Sequence, residues 1–156
     1  MSVVTRCGAT LSATILAVSG LALTASSASA APRAAAVSSC KASPSDATCD
    51  GMDPQTTGCA ADAYTVPGGT AKGPGGTVEL RYSPSCKTNW ARVQNAQLNL
   101  TLFVIRQDGA ERDSVEFLWA SGTVWSPMLY SPVMKAQAGY NWDCCDSGGG
   151  IRTPLK

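Results

Sequence analysis

The stretch TVELRYS, residues 77–83, alternates cleanly between apolar and polar side chains. Three residues that can pack in a core fall on one side and two charged residues on the other, namely Val78, Leu80 and Tyr82 against Glu79 and Arg81. A period of two is typical of a β-strand with one face in the core and the other in water. The stretch therefore predicts a half-buried strand of an antiparallel sheet.

Short segments of the same kind, separated by turn residues, continue on both sides of this strand. Pro67-Gly-Gly69 ends the preceding segment, Lys72–Gly76 has the composition of a loose loop, and Asp108-Gly109 predicts a turn. The predicted strands are 62–66, 77–83, 89–94, 98–106, 114–119, 123–125, 128–130 and 135–140. No window of twelve residues keeps a helical stripe with caps. The predicted fold class is all-β: a small antiparallel β-sandwich or barrel of seven to eight strands, stapled by disulfides.

Two of these strands also give an expected core. In the longest, the inward side chains are predicted to be Leu98, Leu100, Leu102 and Val104. In the strand at 114–119, Val115, Phe117 and Trp119 share one side.

The N-terminal segment predicts export. Arg6 is the only charge in the first thirty residues, 9–24 is apolar or small, and Ala28-Ser-Ala30 suits a signal peptidase. We expect a signal peptide at 1–30 with cleavage near Ala30, a flexible Ala/Ser/Pro-rich arm at 31–45, and a single disulfide-stabilised domain at 46–156. The predicted localisation is extracellular.

The charge balance limits the expected partners. Loss of residues 1–30 removes one arginine, which leaves eleven basic and eleven acidic residues. Nucleic acids and acidic membrane surfaces favour basic patches, so neither is an expected partner. A neutral, interspersed surface favours a partner recognised by shape and local contacts, such as another secreted protein or a wall glycan.

Six cysteines follow the predicted cleavage point: Cys40, Cys49, Cys59, Cys86, Cys144 and Cys145. In an exported chain of this size they predict three disulfides, although six cysteines allow fifteen connectivities. Adjacent cysteines rarely bond each other. For Cys144 and Cys145 three arrangements stay open: two different partners, one free thiol, or a vicinal disulfide.

Histidine is missing from the whole sequence. This excludes Ser-His-Asp and Cys-His catalysis and histidine zinc sites. A carboxylate pair such as Glu79 and Glu116 is the remaining route to hydrolysis, and it would need the two groups about 5–10 Å apart in a groove. Cross-strand pairing of these acids with arginines is the simpler interpretation.

The acids in and after the loop 49–60 raise the question of calcium. Asp50, Asp53 and Asp62 carry the hard oxygens that calcium prefers, but their spacing does not match the twelve-residue calcium loop. Asp-Gly and Asp-Pro pairs are ordinary turn formers. The loop is therefore interpreted as a turn pinned by a disulfide, and no metal or other cofactor is predicted.

Four residues are candidates for a binding surface: Arg81, Tyr82, Trp90 and Arg92. Tryptophan and arginine dominate binding hot spots because they combine apolar area with fixed hydrogen-bond geometry. Alternation puts Trp90 and Arg92 on one face of their strand. Two interpretations stay open: a core Trp90 with Arg92 paired to Glu79, or an exposed face on which Arg92 stacks on Trp90.

Two segments together resemble the YjfA-like family, a domain of unknown function found in small secreted proteins of Gram-positive bacteria, abundant in streptomycetes. They are CDGMDPQTTGCAADA at 49–63 and TVELRYSPSCKTNWARV at 77–93. The likeness is strong over 40–95 and weaker over 124–152. The resemblance implies a common framework of Cys40, Cys49, Cys59 and Cys86.

The resemblance attaches no enzymatic activity to the chain. It implies a protein that accompanies secreted multi-subunit antibacterial toxin particles and bridges a lectin-bearing subunit to a repeat-bearing scaffold. We therefore expect a secreted, non-enzymatic binding or adaptor module. The alternatives are a small secreted hydrolase or effector that uses carboxylates, and a wall-glycan-binding protein.

Overall fold

A computed structural model describes residues 39–97, 99–117, 121–142 and 148–156, with the backbone alone for 111–117. The predicted signal peptide, most of the predicted arm, and Cys144 and Cys145 lie outside the described residues. So do Leu98 and the side chains of Val115, Phe117 and Trp119. The predictions that concern these residues stay predictions.

Strands are the main regular structure of the described chain. These are β1 Tyr64–Gly73, β2 Gly76–Ser83, β3 Thr88–Ala96, β4 Leu100–Arg106, β5 Glu111–Phe117, β6 Gly122–Trp125, β7 Leu129–Tyr130, β8 Ala136–Trp142 and β9 Gly149–Arg152. Two short helices precede them, α1 Ser39–Ala42 and α2 Asp46–Cys49, followed by a 3₁₀ turn at Cys59–Asp62.

The strands form two antiparallel sheets. Sheet A has the order β1-β2-β3-β6, with β7 also paired to β3, and sheet B has the order β5-β4-β8-β9. The inner faces of the two sheets pack on each other around one apolar core. The predicted all-β antiparallel fold is confirmed, and of the two predicted forms it is the sandwich.

The core follows from the alternation of side chains along each strand. Val78 and Leu80 from β2 are buried against residues of β4 and β8, as the period of two requires. Leu100, Leu102 and Val104 are buried as predicted. Tyr82, the third residue of the predicted inner face, is only half-buried, because it lies at the end of β2 where the sandwich opens.

The segment 72–76 differs from the predicted loose loop. β1 continues past Pro67 to Gly73, with an irregularity in its register between Thr65 and Thr70, and then turns tightly into β2. As an edge strand, β1 tolerates proline and glycine that a central strand would not. The hydroxyl of buried Tyr140 accepts a hydrogen bond from the Gly75 amide and donates one to the Gly76 carbonyl, each 3.1 Å long. A Cβ on Gly75 would lie 2.6 Å from Leu100 Cδ2, so only glycine fits this turn.

Residues 39–63 form a cap over one end of the outer face of sheet A. Two disulfides hold it, Cys40–Cys49 within the cap and Cys59–Cys86 between the cap and the sheet. The cap is also joined to the chain before β7, since Gly51 donates to the Met128 carbonyl and Met128 donates to the Met52 carbonyl, both at 2.9 Å. The two disulfides give the connectivity of the predicted four-cysteine framework: Cys40 with Cys49 and Cys59 with Cys86.

The start of the folded domain differs from the predicted boundary at residue 46. Helix α1 lies inside the predicted arm 31–45, and Cys40 is fully buried among the other framework cysteines. Ser45 then caps helix α2, with a reciprocal pair of hydrogen bonds to Thr48. The described chain is therefore folded from Ser39 onward, because Cys40–Cys49 ties helix α1 to helix α2 and Cys59–Cys86 ties the cap to the sheet.

Candidate functional site

Trp90 belongs to a second, smaller core between sheet A and the cap. It is 2% exposed and packs with Met128 and the four framework cysteines. Trp90 shares the outer face of β3 with Arg92, and the cap covers the part of that face where Trp90 lies. Of the two interpretations left open for Trp90, the buried one matches this arrangement, and Trp90 is not part of an exposed surface.

Arg92, two residues farther along β3, lies beyond the edge of the cap and pairs with Glu79 across β2 and β3. Its Nε and a terminal nitrogen reach Glu79 Oε2 at 2.7 and 2.6 Å. Gln94 donates to the other carboxylate oxygen at 3.0 Å. Both oxygens of Glu79 are thus engaged in cross-strand contacts on the sheet face, so the interpretation that pairs Arg92 with Glu79 is the one that the structure matches.

The carboxylate pair proposed for hydrolysis is divided between the two sheets. Glu79 lies on the outer face of sheet A, whereas residue 116 pairs with Thr101 in sheet B. Thr101 alternates with the inward Leu100 and Leu102, which places residue 116 at a register position on the outer face of sheet B. The sandwich therefore separates the two positions instead of bringing them to one groove.

The three aspartates considered for calcium each cap a different part of the backbone. Asp50 Oδ1 accepts from the Tyr130 amide at 2.6 Å, and Asp62 accepts from the Ser83 hydroxyl and the Ser85 amide at 2.6 and 2.9 Å. Asp53 accepts from the amides of Gln55 and Thr56 and, at 3.0 Å, from the indole of Trp125. The geometry is that of pinned turns.

These hydrogen bonds determine the acidity of two of the carboxyl groups. Burial alone would raise the pKa of Asp53, but the bonds from Trp125, Thr56 and Gln55 outweigh it and lower the pKa below its usual value. Burial would also raise the pKa of Asp62. The hydrogen bonds from Ser83 and Ser85 outweigh burial, so the pKa of Asp62 is lowered as well.

The sulfur atoms of Cys40, Cys59 and Cys86 lie within 4.8 Å of one another, a spacing that thiolates could use to hold a metal ion. All three atoms are already bonded in the disulfides Cys40–Cys49 and Cys59–Cys86. A disulfide sulfur carries no thiolate charge, so this cluster is a covalent staple and not a set of metal ligands.

A shallow cleft of about 250 Å³ lies at the end of the sandwich where β1 begins and β2 ends. We call it the tyrosine cleft, and it is lined by Tyr64, Val66, Tyr82, Asn89, Ser131, Pro132, Val133, Met134, Lys135 and Lys156. The rings of Tyr64 and Tyr82, a cross-strand pair, meet edge to face with centroids 5.9 Å apart. Of the four predicted binding residues, Tyr82 is the one that lines this cleft.

The tyrosine cleft gathers exposed apolar side chains. Tyr64, Val133 and Met134 are 47%, 89% and 37% exposed, and they are three of the five large hydrophobic residues that are exposed in the described part of the chain. Exposed apolar groups that cluster mark interaction sites more often than scattered ones do.

The 131–135 turn that presents Val133 and Met134 is held at both ends. The Ser131 hydroxyl donates to the Met134 carbonyl at 2.6 Å, and the Ser131 amide donates to the Lys87 carbonyl at 2.9 Å. The Gln107 amide donates to the Lys135 carbonyl at 2.8 Å. An exposed apolar pair on a turn fixed in this way presents a preorganised surface, for which binding costs little ordering entropy.

Sequence reasoning did not identify the tyrosine cleft. Its residues come from five segments that are far apart in the chain, so no sequence motif predicts that they form one site. The usable signal was the apolar pair Val133-Met134, which follows a proline between two predicted strands where a turn would normally be polar.

The described helices are all short, and none has the length and apolarity that a membrane span needs. A family model described as "Protein of unknown function (DUF2690)" matches residues 47–139, which is more than half of the chain. The match includes the Cys59–Cys86 disulfide, strands β1 to β7 and the 131–135 turn. No curated protein and no solved structure matches the chain.

Proposed function

The protein belongs to the DUF2690 family of proteins of unknown function, and we propose that it is an extracellular binding module that docks another secreted protein through the tyrosine cleft. The observation that carries this proposal is the clustering of three exposed side chains around one cleft: Tyr64 at the start of β1, and Val133 and Met134 on the fixed 131–135 turn. A central apolar cluster with a polar rim is the usual anatomy of a protein interface.

The chemistry of the cleft favours a protein partner over a glycan. Sugars are held by aromatic platforms surrounded by directional hydrogen-bonding groups. Here the most exposed side chain is that of Val133, with Met134 exposed beside it, and neither offers a sugar hydroxyl a strong hydrogen-bond partner. Methionine is over-used at protein-binding surfaces because its side chain adapts to different partners.

The proposal includes secretion. The two disulfides favour an oxidising compartment, and the N-terminal thirty residues have the composition of a signal peptide. Cleavage near Ala30 would release the folded domain together with the residues that precede it.

We extend the proposal to the YjfA-like adaptor of secreted streptomycete toxin assemblies. In this role the module would join two subunits of an extracellular antibacterial particle without catalysing a reaction. A hydrolase that uses Glu79 has less support, because Arg92 and Gln94 engage both oxygens of its carboxylate and residue 116 lies in the other sheet.

Site-specific photocrosslinking tests the docking surface. The secreted protein would be produced with p-benzoylphenylalanine in place of Val133. The matched control carries the same residue in place of Gln97, which is exposed near the opposite end of the sandwich. Each protein would be irradiated with the proteins secreted by its source organism. We expect a defined protein adduct from residue 133 that excess unlabelled protein suppresses, and no such adduct from residue 97.

The adduct would then be identified, and the purified partner titrated against the wild-type protein and Tyr64→Ala. Loss of affinity in Tyr64→Ala with unchanged thermal stability supports the proposal. Equal crosslinking from both positions, or none from residue 133, would overturn it. If the protein instead bound purified wall glycan saturably, and residue 133 mediated that binding, the partner would be a glycan and not a protein.

A further inference from the structure

We propose that the tyrosine cleft takes an extended acidic segment of the partner. Its apolar side chains would contact Tyr64, Val133 and Met134, and its carboxylates would pair with Lys135 and Lys156. This inference rests on the proposed function and specifies the chemistry of the partner at the same site.

The charge of the cleft carries the inference. Its ten lining residues include two lysines and no aspartate or glutamate. Among the residues that the structure describes, neither Lys135 nor Lys156 has a carboxylate within ion-pair distance. The chain as a whole is nearly neutral, at +1, so this positive rim reflects a local arrangement and not the overall composition.

The backbone fixes the two lysines close together. Ala136 and Lys156 exchange backbone hydrogen bonds of 2.8 and 3.0 Å, which sets Lys156 beside the residue that follows Lys135. The Lys156 ammonium lies over the backbone of β1, since a Cβ placed on Gly68 would be 3.2 Å from its Nζ. The cationic rim thus borders the exposed apolar side chains.

Asp62, which acts on Tyr82 of the cleft, does not pair with the lysines of this rim. Asp62 contributes to the raised pKa of Tyr82, after burial and the neighbouring tyrosines Tyr64 and Tyr130. Its two carboxylate oxygens accept hydrogen bonds from Ser83 and Ser85, which hold it on the cap side of β2. The lysines are therefore left to complement charge on a partner.

The size of the cleft favours an extended occupant. The cleft volume of about 250 Å³ has room for one or two large side chains. A whole helix with its side chains is about 10 Å wide and would not enter it. In an extended segment alternate side chains point the same way, so apolar residues can enter the cleft while neighbouring carboxylates meet the rim.

Methionine NMR gives a direct readout. The chain has three methionines after the predicted signal peptide: Met134 lines the cleft, exposed Met52 lies in the cap, and buried Met128 reports on the fold. The secreted protein, labelled with ¹³C at the methionine methyl groups, would be titrated with three decapeptides. All three carry leucine and tyrosine at the same four positions, and the other six positions are all glutamate, all glutamine or all lysine.

We expect the Met134 signal to move with the glutamate peptide, less with the glutamine peptide and least with the lysine peptide, while Met52 and Met128 stay in place. Lys135→Gln and Lys156→Gln should each lower the affinity for the glutamate peptide about two- to fivefold, as expected for the loss of one exposed ion pair. Lys72→Gln, at the other end of the sandwich, is the matched control and should change nothing.

The outcomes separate the two proposals. An equal response to all three peptides would overturn the acidic partner and leave the docking cleft intact. The acidic partner is also overturned if Met134 responds to no peptide although residue 133 crosslinks a protein. Failure of both the titration and the crosslinking would overturn the cleft itself.

Discussion

Arg81 donates a hydrogen bond of 2.8 Å to the hydroxyl of Thr65 across the β1–β2 pair, and a second, of 2.6 Å, to the carbonyl of Ala63. Ala63 and Thr65 are the two neighbours of Tyr64 in the chain. Arg81 thus holds the residues on both sides of Tyr64, the most exposed aromatic side chain in the cleft, through one backbone carbonyl and one side-chain hydroxyl. We therefore propose that Arg81, a candidate binding residue by sequence, positions Tyr64.

The substitution Arg81→Lys should loosen this part of β1. A lysine has one terminal nitrogen and cannot reproduce the fork that contacts Ala63 and Thr65 together. Loss of one such hydrogen bond costs about 1 kcal/mol, which corresponds to about fivefold faster exchange of locally protected amides. Hydrogen exchange of residues 64–66 would measure it.

Arg92→Lys is the matched control for this prediction. Its guanidinium pairs with Glu79 on the same sheet face and makes no contact with β1 in the described hydrogen bonds. Exchange at 64–66 should therefore stay as in the wild type. Equal acceleration in both variants would show that Arg81 stabilises the sheet in general and does not position Tyr64.

Trp90→Ala should destabilise the whole domain instead of removing one contact residue. Trp90 is almost fully buried between the disulfides and Met128, and truncation of a buried tryptophan costs about 3–5 kcal/mol. We expect a lower urea midpoint with a reduced free energy of unfolding. If stability were unchanged while partner binding was lost, Trp90 would be a binding residue after all.

The two disulfides should differ in their contribution to stability. Cys59–Cys86 closes a loop with a sequence separation of 27, and Cys40–Cys49 one with a separation of 9. In the chain-entropy account these loops correspond to about 3.5 and about 2.5 kcal/mol. The paired variant Cys59→Ser/Cys86→Ser should therefore unfold at lower urea than Cys40→Ser/Cys49→Ser, and the reverse order would contradict this account.

Alternation along the strands predicted the sandwich core because the pleat itself enforces a period of two. Val78, Leu80 and Leu102 could be placed from the sequence since each faces the opposite sheet. The same rule put Trp90 and Arg92 on one face, yet one is buried and the other half-exposed. The difference comes from the cap, an irregular segment whose path the sequence pattern does not encode.

The edge of sheet A shows a second limit. Pro67, Gly68 and Gly69 indicate the end of a strand, but β1 continues through them because one side of an edge strand needs no partner. The tyrosine cleft could not be predicted from the sequence for a related reason. Its contacts join residues 64, 82, 89, 131–135 and 156, which only the folded sheets bring together.

Acid should weaken the fold through Asp53 and Asp62. Both have a pKa below the usual value in the folded protein, because hydrogen bonds that favour the charged form outweigh burial. A lowered folded pKa means that the stabilisation is present above the unfolded value of 3.8 and is lost as the pH falls through the folded pKa. The free energy of unfolding should therefore decline as the pH is lowered below about 4.

The indole of Trp125 allows this acid dependence to be assigned to one carboxyl group. Trp125→Phe removes the side-chain hydrogen bond to Asp53 Oδ2 and leaves the amide bonds from Gln55 and Thr56 in place. The pKa of Asp53, measured by ¹³C NMR of its carboxyl carbon, should rise, while that of Asp62 should not change. Since a smaller difference from the unfolded pKa means a weaker linkage, the variant should also lose less stability in acid. An Asp53 pKa at or above 3.8 in the wild-type protein would contradict the hydrogen-bond account.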